Sequence, residues 1–397
     1  MKIWRTTFIC LMFAWLLAGL ISGQRIFFIL FLLQLLLLAS AVVVNIWGAL
    51  SFAYTQKLSE EQIIRGRQTY LHLELHNEKP IPYPMMQIHL ATADPTNPKR
   101  LNINLGSKDR LLFDLTLECP HRGEFLIGMT TIDFVDLFGL IRLPFDMRLL
   151  PYYREKRLLV LPRLIELESP SLQGSGSRMP DQRFFATDQT QDPFSSVRAY
   201  RPGDPRKLIH WKLSSRHRSL LTRQFDHLSE PCVLLLLDLS LPKGGSKKDV
   251  LSAIDSCCEA TCAIILSMLK RGWPVQLVTH DQARERLNIE NLSGFEKIHN
   301  WLAKVPFSGH YSFSKLLADE LATASHVRGV LAVTHDASYD LIPVLLNARH
   351  SPTPVQTFFT GPAAEDPVLI SQIRQNTIPA HFFRNCDDLA EQWRVVP

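Results

Sequence analysis

Cys232-Val233-Leu234-Leu235-Leu236-Leu237-Asp238 is a continuous apolar run closed by an acid. Such a run reads as a strand buried on both faces, the pattern of a parallel sheet covered by helices. The residues after it have the matching grammar. A long helical stretch covers 246–271, with Gly272 as its C-terminal cap. Strands are expected at 275–279, 330–334 and 355–359, and helices at 295–304, 313–322, 341–348 and 387–392. Strands alternating with helices predict a doubly wound α/β domain over residues 231–397. Cys257, Cys258 and Cys262 fall inside the helical pattern and read as small core residues.

Upstream the period changes to two. Thr69-Tyr70-Leu71-His72-Leu73-Glu74-Leu75 alternates strictly, as do Gln87-Ile88-His89-Leu90, Leu101-Asn102-Ile103-Asn104-Leu105 and Leu112-Phe113-Asp114-Leu115-Thr116-Leu117. Asn77, Pro80, Pro82, Asp94-Pro95, Gly106 and Gly123 punctuate the runs. This is the signature of half-buried antiparallel strands, and residues 56–163 are expected to form a small β-sandwich. Between the two domains, residues 164–230 open with a Gly-, Ser-, Gln- and Asp-rich linker that includes Gly174-Ser175-Gly176-Ser177.

The first 55 residues are of a third kind. Residues 6–22 are almost uniformly apolar, and residues 26–54 carry no charged side chain. A helix needs roughly 20 apolar residues to cross a hydrocarbon core. Only Gly23, Gln24 and Arg25 separate the runs, so residues 1–55 read as a transmembrane helical hairpin. Lys2 and Arg5 precede it and Lys57, Arg65 and Arg67 follow it, against Arg25 alone in its loop. That bias places both ends, and the domains after them, on the cytoplasmic side of the membrane. A cleavable signal peptide would share the basic start and apolar stretch, but no clean small-x-small cleavage pattern is present. Roughly 340 residues remain for about two soluble domains. The net charge of +5 is too mild to imply nucleic acid, and seven Cys with no C-x-x-C indicate neither a zinc ribbon nor a disulfide framework.

Two stretches carry candidate chemistry. Asp238 and Asp336 both sit at expected strand carboxyl ends, where open α/β sheets bind ligands. With Ser240 they offer oxygens suited to Mg²⁺, and such a site would support a Mg-dependent enzyme or metal-dependent binding. The bland counterpart is a strand-end Asp238 that only caps loop amides. The second stretch, 198–223, is the densest basic cluster of the chain. Pro202-Gly203 suits a turn, Asp204-Pro205 suits a helix start, and a short helix is expected through about Arg216. Its Arg, Lys and His suit an acidic protein face or an anionic lipid headgroup. The same charges also fit a solvated or internally paired face. No nucleic-acid fold motif accompanies them. His121, His210, His280 and His335 lie near turns or strand ends. There is no Gly-x-Ser-x-Gly elbow, phosphate loop or His-Glu-x-x-His, so no enzyme class is indicated.

Tyr200-Arg201-Pro202-Gly203-Asp204-Pro205-Arg206-Lys207-Leu208-Ile209-His210-Trp211-Lys212-Leu213-Ser214-Ser215 resembles the hallmark of a bacterial family, domain of unknown function fifty-eight. That hallmark is a Tyr, Pro-Gly-Asp, Arg, Ile, Trp and a small pair in this order and spacing. Arg122-Gly123-Glu124-Phe125 and Asp136-Leu137-Phe138-Gly139-Leu140 resemble the family's Arg-Gly-x-Tyr and Asp-Pro-Phe-Gly-Leu, with Phe125 for Tyr and Leu137 for Pro. Asp238-Leu239-Ser240 with Asp336 resembles the metal-ion-dependent adhesion site of von Willebrand factor type A domains, Asp-x-Ser-x-Ser, Thr, Asp. Here Pro242 takes the second Ser position, and no Thr stands near Ser308-Gly309-His310-Tyr311.

The resemblance implies an α+β multidomain chain with a von Willebrand A-like α/β domain. It also implies a non-enzymatic adaptor or scaffold without cofactor, partnered with a MoxR-type AAA+ ATPase and a transglutaminase-like membrane protein. Partner-binding residues are then expected at Tyr200, Arg201, Gly203, Asp204, Arg206, His210, Trp211 and Lys212.

Overall fold

A computed structural model describes residues 2–50, 52–136, 139–149, 153–167, 194–200, 209–217, 219–225, 232–242, 246–309, 311–324, 327–349 and 353–384. The chain divides into two compact units, Met1–Arg163 and Leu164–Pro397.

The first unit opens with helices α1 (Lys2–Ser22) and α2 (Arg25–Leu50). Gly23, at φ 65°, reverses the chain between them, and its N–H donates to Gly19 O at 3.0 Å. The antiparallel pair is zipped by Trp15 stacked on Phe27, centroids 5.8 Å apart. Both helices are long and apolar enough to cross a membrane. Their outward side chains, including Phe13, Leu17, Leu32, Leu36 and Val43, are exposed. Hydrocarbon, not water, is the medium that suits such a surface.

Nine strands follow: β1 (Ala53–Leu58), β2 (Gln62–Ile64), β3 (Gln68–His76), β4 (Tyr83–Ala91), β5 (Lys99–Leu105), β6 (Arg110–Glu118), β7 (Gly123–Val135), β8 (Arg142–Asp146) and β9 (Lys156–Leu161). They build two sheets, β1-β3-β6 and β2-β9-β7-β4-β5, with β8 beside β7. Alternation does what the sequence promised. Leu71, Leu73 and Leu75 of β3 turn inward and join Met86, Ile88, Ile132 and Phe134 of the other sheet in one core. One pairing departs from the antiparallel expectation: β2 and β9 run parallel. They lie far apart in sequence, so no hairpin turn dictates their direction. The end of α2 is clamped to this unit. The Tyr83 hydroxyl donates to Gly48 O at 3.0 Å, and the Lys79 ammonium donates to Trp47 O from 4.5 Å off the Trp47 ring centroid. A cation at a helix C-terminus is favourable, and burial lowers the Lys79 pKa.

The second unit begins with a hairpin of β10 (Phe194–Ala199) and β11 (Leu221–Phe225), with helix α3 (Trp211–His217) in its connection. A six-stranded sheet follows. Its strands are β12 (Val233–Leu237), β13 (Val275–His280), β14 (Arg284–Ile289), β15 (Gly329–Thr334), β16 (Val355–Thr360) and β17 (Ala380–Phe383), in the order β14-β13-β12-β15-β16-β17. All neighbours are parallel except β14, which folds back antiparallel on β13. The run that opened the sequence reading is the central strand β12, buried throughout.

Leu235 and Leu237 face helices α4 (Lys247–Lys270) and α5 (Leu292–Lys304); Leu234 and Leu236 face α6 (Phe313–Thr323) and α7 (Leu341–Arg349). Helices thus cover both faces of a mostly parallel sheet. Ser246 and Asp249 form a capping box at the start of α4. Gly272 and Trp273 donate back to Leu269 O and Met268 O at its end, a Schellman stop with Gly272 at φ 76°. α4 too is long and apolar enough to span a membrane, but most of its residues are buried inside the unit. Strands β14 and β17 and helices α8 (Pro362–Glu365) and α9 (Pro367–Gln375) were not anticipated. The helix expected at 387–392, the turn at Pro202-Gly203, the start at Asp204-Pro205 and most of the linker lie outside the described residues.

Candidate functional site

The parallel pairing of β12 with β15 brings two strand carboxyl ends side by side, and with them Asp238 and the pair His335-Asp336. Asp238 is only 2% exposed. Its Oδ1 accepts from the Ser240 N–H at 2.9 Å, and its Oδ2 accepts from the Thr334 hydroxyl at 2.6 Å. The Thr334 oxygen in turn accepts from the Asp336 N–H at 3.0 Å, and Asp336 Oδ1 accepts from the Ser338 N–H at 3.0 Å. These carboxylates hold the two loops in shape, the capping role that was the bland alternative to metal binding. A hard cation needs several free oxygens. Both Asp238 oxygens are engaged and Pro242 has no side-chain oxygen. Among the described residues no three His, Cys, Asp or Glu are grouped to hold an ion. Asp238, Ser240 and Asp336 are thus brought to one end of the sheet, with each Asp238 oxygen accepting one hydrogen bond.

Sequence reasoning missed three members of this cluster. Thr334 is the last residue of β15 and shares Asp238's carboxylate. Cys257, read as core, places Sγ 3.6 Å from His335 Nδ1. Ser308 donates its N–H to Leu239 O at 3.1 Å and its hydroxyl to Asp281. A period-two reading of Thr334 and Asp336 as one pair was the available signal for the first. Nothing in the local pattern pointed to the others. The cluster borders a cleft of about 750 Å³ whose walls include Ser240, Tyr311, Ser312, Asp336, Ser338 and Tyr339. Tyr311 is itself held by stacking on His280, centroids 3.7 Å apart.

The basic segment is visible in part. Tyr200, His210, Trp211 and Lys212 are described; Arg201, Gly203, Asp204 and Arg206 lie outside the described residues. Among the described residues the helix starts at Trp211, and Ile209 and His210 before it are not helical. His210 supplies the start: its Nδ1 accepts from the Leu213 N–H at 3.3 Å and its carbonyl accepts from the Ser214 N–H at 2.9 Å. Ser214, 7% exposed, clasps β11, accepting from the Leu221 N–H at 2.9 Å and donating to Leu221 O. Tyr200 N–H donates to Leu220 O at 2.9 Å across the same hairpin. The outer face keeps Trp211, 64% exposed, together with exposed Lys212, Arg216 and Leu220.

Residues 196–311 match the family described as "Protein of unknown function DUF58". This stretch is similar to that family. It takes in α3, β12 and the Asp238–Ser240 turn. The chain is also 23% identical, over 237 residues, to "Uncharacterized protein YeaD" of Bacillus subtilis (strain 168), a match covering 56% of this chain and 54% of that one. It thus spans about half the length of that relative.

Among solved structures, the CARDB domain of the PF1109 protein of Pyrococcus furiosus is 11% identical with TM-score 0.19, covering 28% of this chain and 93% of its own. A cohesin module of a Clostridium perfringens family 33 glycoside hydrolase is 14% identical with TM-score 0.19, covering 28% and 96%. Scores that low carry no argument about the fold.

Proposed function

We propose that the chain is a membrane-anchored scaffold whose DUF58 segment docks a protein partner through the face of α3. The single supporting observation is an exposed Trp211 beside Lys212 and Arg216, on a backbone pinned by the His210 cap and the Ser214 clasp. Water disfavours a bare indole, and Trp and Arg are the side chains that dominate binding hot spots. The neighbouring cations select an acidic surface. The hairpin of α1 and α2 anchors the scaffold in a bacterial inner membrane, with its soluble parts in the cytoplasm, by the excess of Lys and Arg outside the loop. The α/β unit is von Willebrand A-like in this reading, supported by helices on both faces of the sheet and by the strand-end Asp238. By resemblance, the partners are a MoxR-type AAA+ ATPase and a transglutaminase-like membrane protein. Docking of this kind calls for no catalysis.

Affinity capture of the ATPase by the full-length chain tests the reading. Trp211→Ala should weaken capture by about 30-fold, the equivalent of a 2 kcal/mol hot spot. Replacement of Arg201, Arg206 and Lys212 by Glu should abolish it, and added salt should weaken the wild type. Capture indifferent to all three changes would refute the docking face.

A further inference from the structure

The cleft at the carboxyl ends of β12 and β15 contains an array that docking leaves unused. His335 is 3% exposed and is surrounded by three polar groups. Its Nε2 lies 3.4 Å from Ser240 Oγ, and its Nδ1 lies 3.8 Å from Asp238 Oδ2 and 3.6 Å from Cys257 Sγ. Phe307 packs against the ring at 6.1 Å between centroids. We infer that Ser240 is a nucleophile activated by His335, with Asp238 as its positioning residue, and that the cleft accepts a neutral carboxylic ester.

Three observations carry this beyond a buried histidine. First, the order is that of a serine–histidine–aspartate relay, recognised by geometry and roles and not by chain position. Asp238 Oδ2 acts on the ring from 3.8 Å as a nearby negative charge, not as a hydrogen-bond partner, and Cys257 Sγ is the contact that takes the Nδ1 proton; that tautomer leaves the Nε2 lone pair for the Ser240 hydroxyl. A nucleophile–base distance of 3.4 Å is loose but within the range that tightens when substrate binds. Second, Ser240 and His335 are both walls of a cleft of about 750 Å³, enough for a mid-sized ligand. Third, the described walls carry Asp336 and Asp340 but no Arg or Lys. Such a lining repels phosphates and carboxylates and admits uncharged acyl groups, with Leu241, Phe313 and Pro362 as the apolar side.

The step balances without another reagent. Ser240 Oγ bonds to the ester carbonyl carbon as its proton passes to His335 Nε2. The adduct collapses, the carbon–oxygen bond to the alcohol breaks, and the alcohol leaves with that proton. Water then repeats the exchange, releasing the acid and restoring Ser240.

The test uses the full-length chain in detergent with a fluorophosphonate, whose fluoride Ser240 would displace. Intact-mass measurement should show one adduct, and peptide mapping should place it on Ser240. Ser240→Ala should lose it, and His335→Gln should slow labelling at least 100-fold at unchanged melting temperature. Hydrolysis of p-nitrophenyl acetate should follow the same pattern, with Asp238→Asn lowering kcat at constant KM. Unlabelled wild type, an adduct on another residue, or wild-type labelling rates in His335→Gln would overturn the relay. A change in KM with kcat held in Asp238→Asn would remove Asp238 from it. The wild-type adduct decides alone should a variant fail to fold, and neither result bears on capture through Trp211.

Discussion

Ser214→Ala is a perturbation whose consequence can be worked from the geometry. The hydroxyl takes the Leu221 N–H at 2.9 Å and reaches Leu221 O at 3.4 Å, so it is donor and acceptor to one peptide unit of β11. Ser214 is buried. Leu221 O keeps a second donor, the His210 N–H at 2.8 Å. Among the described residues Ser214 Oγ is the acceptor for the Leu221 N–H, so the variant leaves that donor unpaired. That costs about 1–3 kcal/mol. Opening of the α3–β11 clasp should therefore rise by about 5- to 150-fold at 1.4 kcal/mol per decade. Amide hydrogen exchange on the full-length chain reads it directly at Leu221. The neighbour Ser215 is the control, since its exposed hydroxyl only donates back to Lys212 O within the helix. Ser215→Ala should change exchange by less than about 0.5 kcal/mol equivalent. Capture of the partner should fall with the Ser214 variant as well, because Trp211 then loses its fixed platform. If Leu221 exchanges equally slowly in both variants, the clasp is not what holds α3, and the platform argument fails.

Other expectations concern stability. Asp133 is buried, which raises its pKa, but the hydrogen bonds from Arg142 and His89 outweigh that and hold it below the usual carboxylate range. A lowered folded pKa means stability present above the ordinary Asp range and lost as pH falls through the folded value; Arg142→Ala should move the acid transition, followed by circular dichroism, to higher pH. Burial pushes the Cys119 thiol up to about 11. With the unfolded thiol near about 8.5, stability should decline as pH rises from there towards 11, and Cys119→Ala should flatten that slope. Leu236 is wholly buried among α6, α7 and the sheet, so Leu236→Ala should cost about 2–5 kcal/mol in thermal unfolding. Exposed Leu292→Ala should cost under about 0.5 kcal/mol.

Local patterns were readable because local physics enforces them. The two-residue alternation of β3 survives intact in the sandwich core, since every second side chain must leave water. The all-apolar β12 had to lie between helices, and it does. Gly272 stops α4 where a left-handed residue is needed. The basic segment was legible as a cluster. Of its helix, the part from Trp211 is described, and it opens on the His210 cap, which no local pattern announced. The relation between Ser240 and His335 could not be seen, because 95 residues separate them and only the β12–β15 pairing closes that distance.

Hydropathy shows the division most clearly. α1, α2 and α4 are each long and apolar enough to cross a membrane, and composition alone determined that each must leave water. Where each goes was decided by tertiary structure. α4 finds a sheet face that covers it, whereas α1 and α2 pack along each other's seam and leave most of their outer faces exposed. Transfer free energy depends on a residue's own surface, but burial depends on what the rest of the chain brings against it.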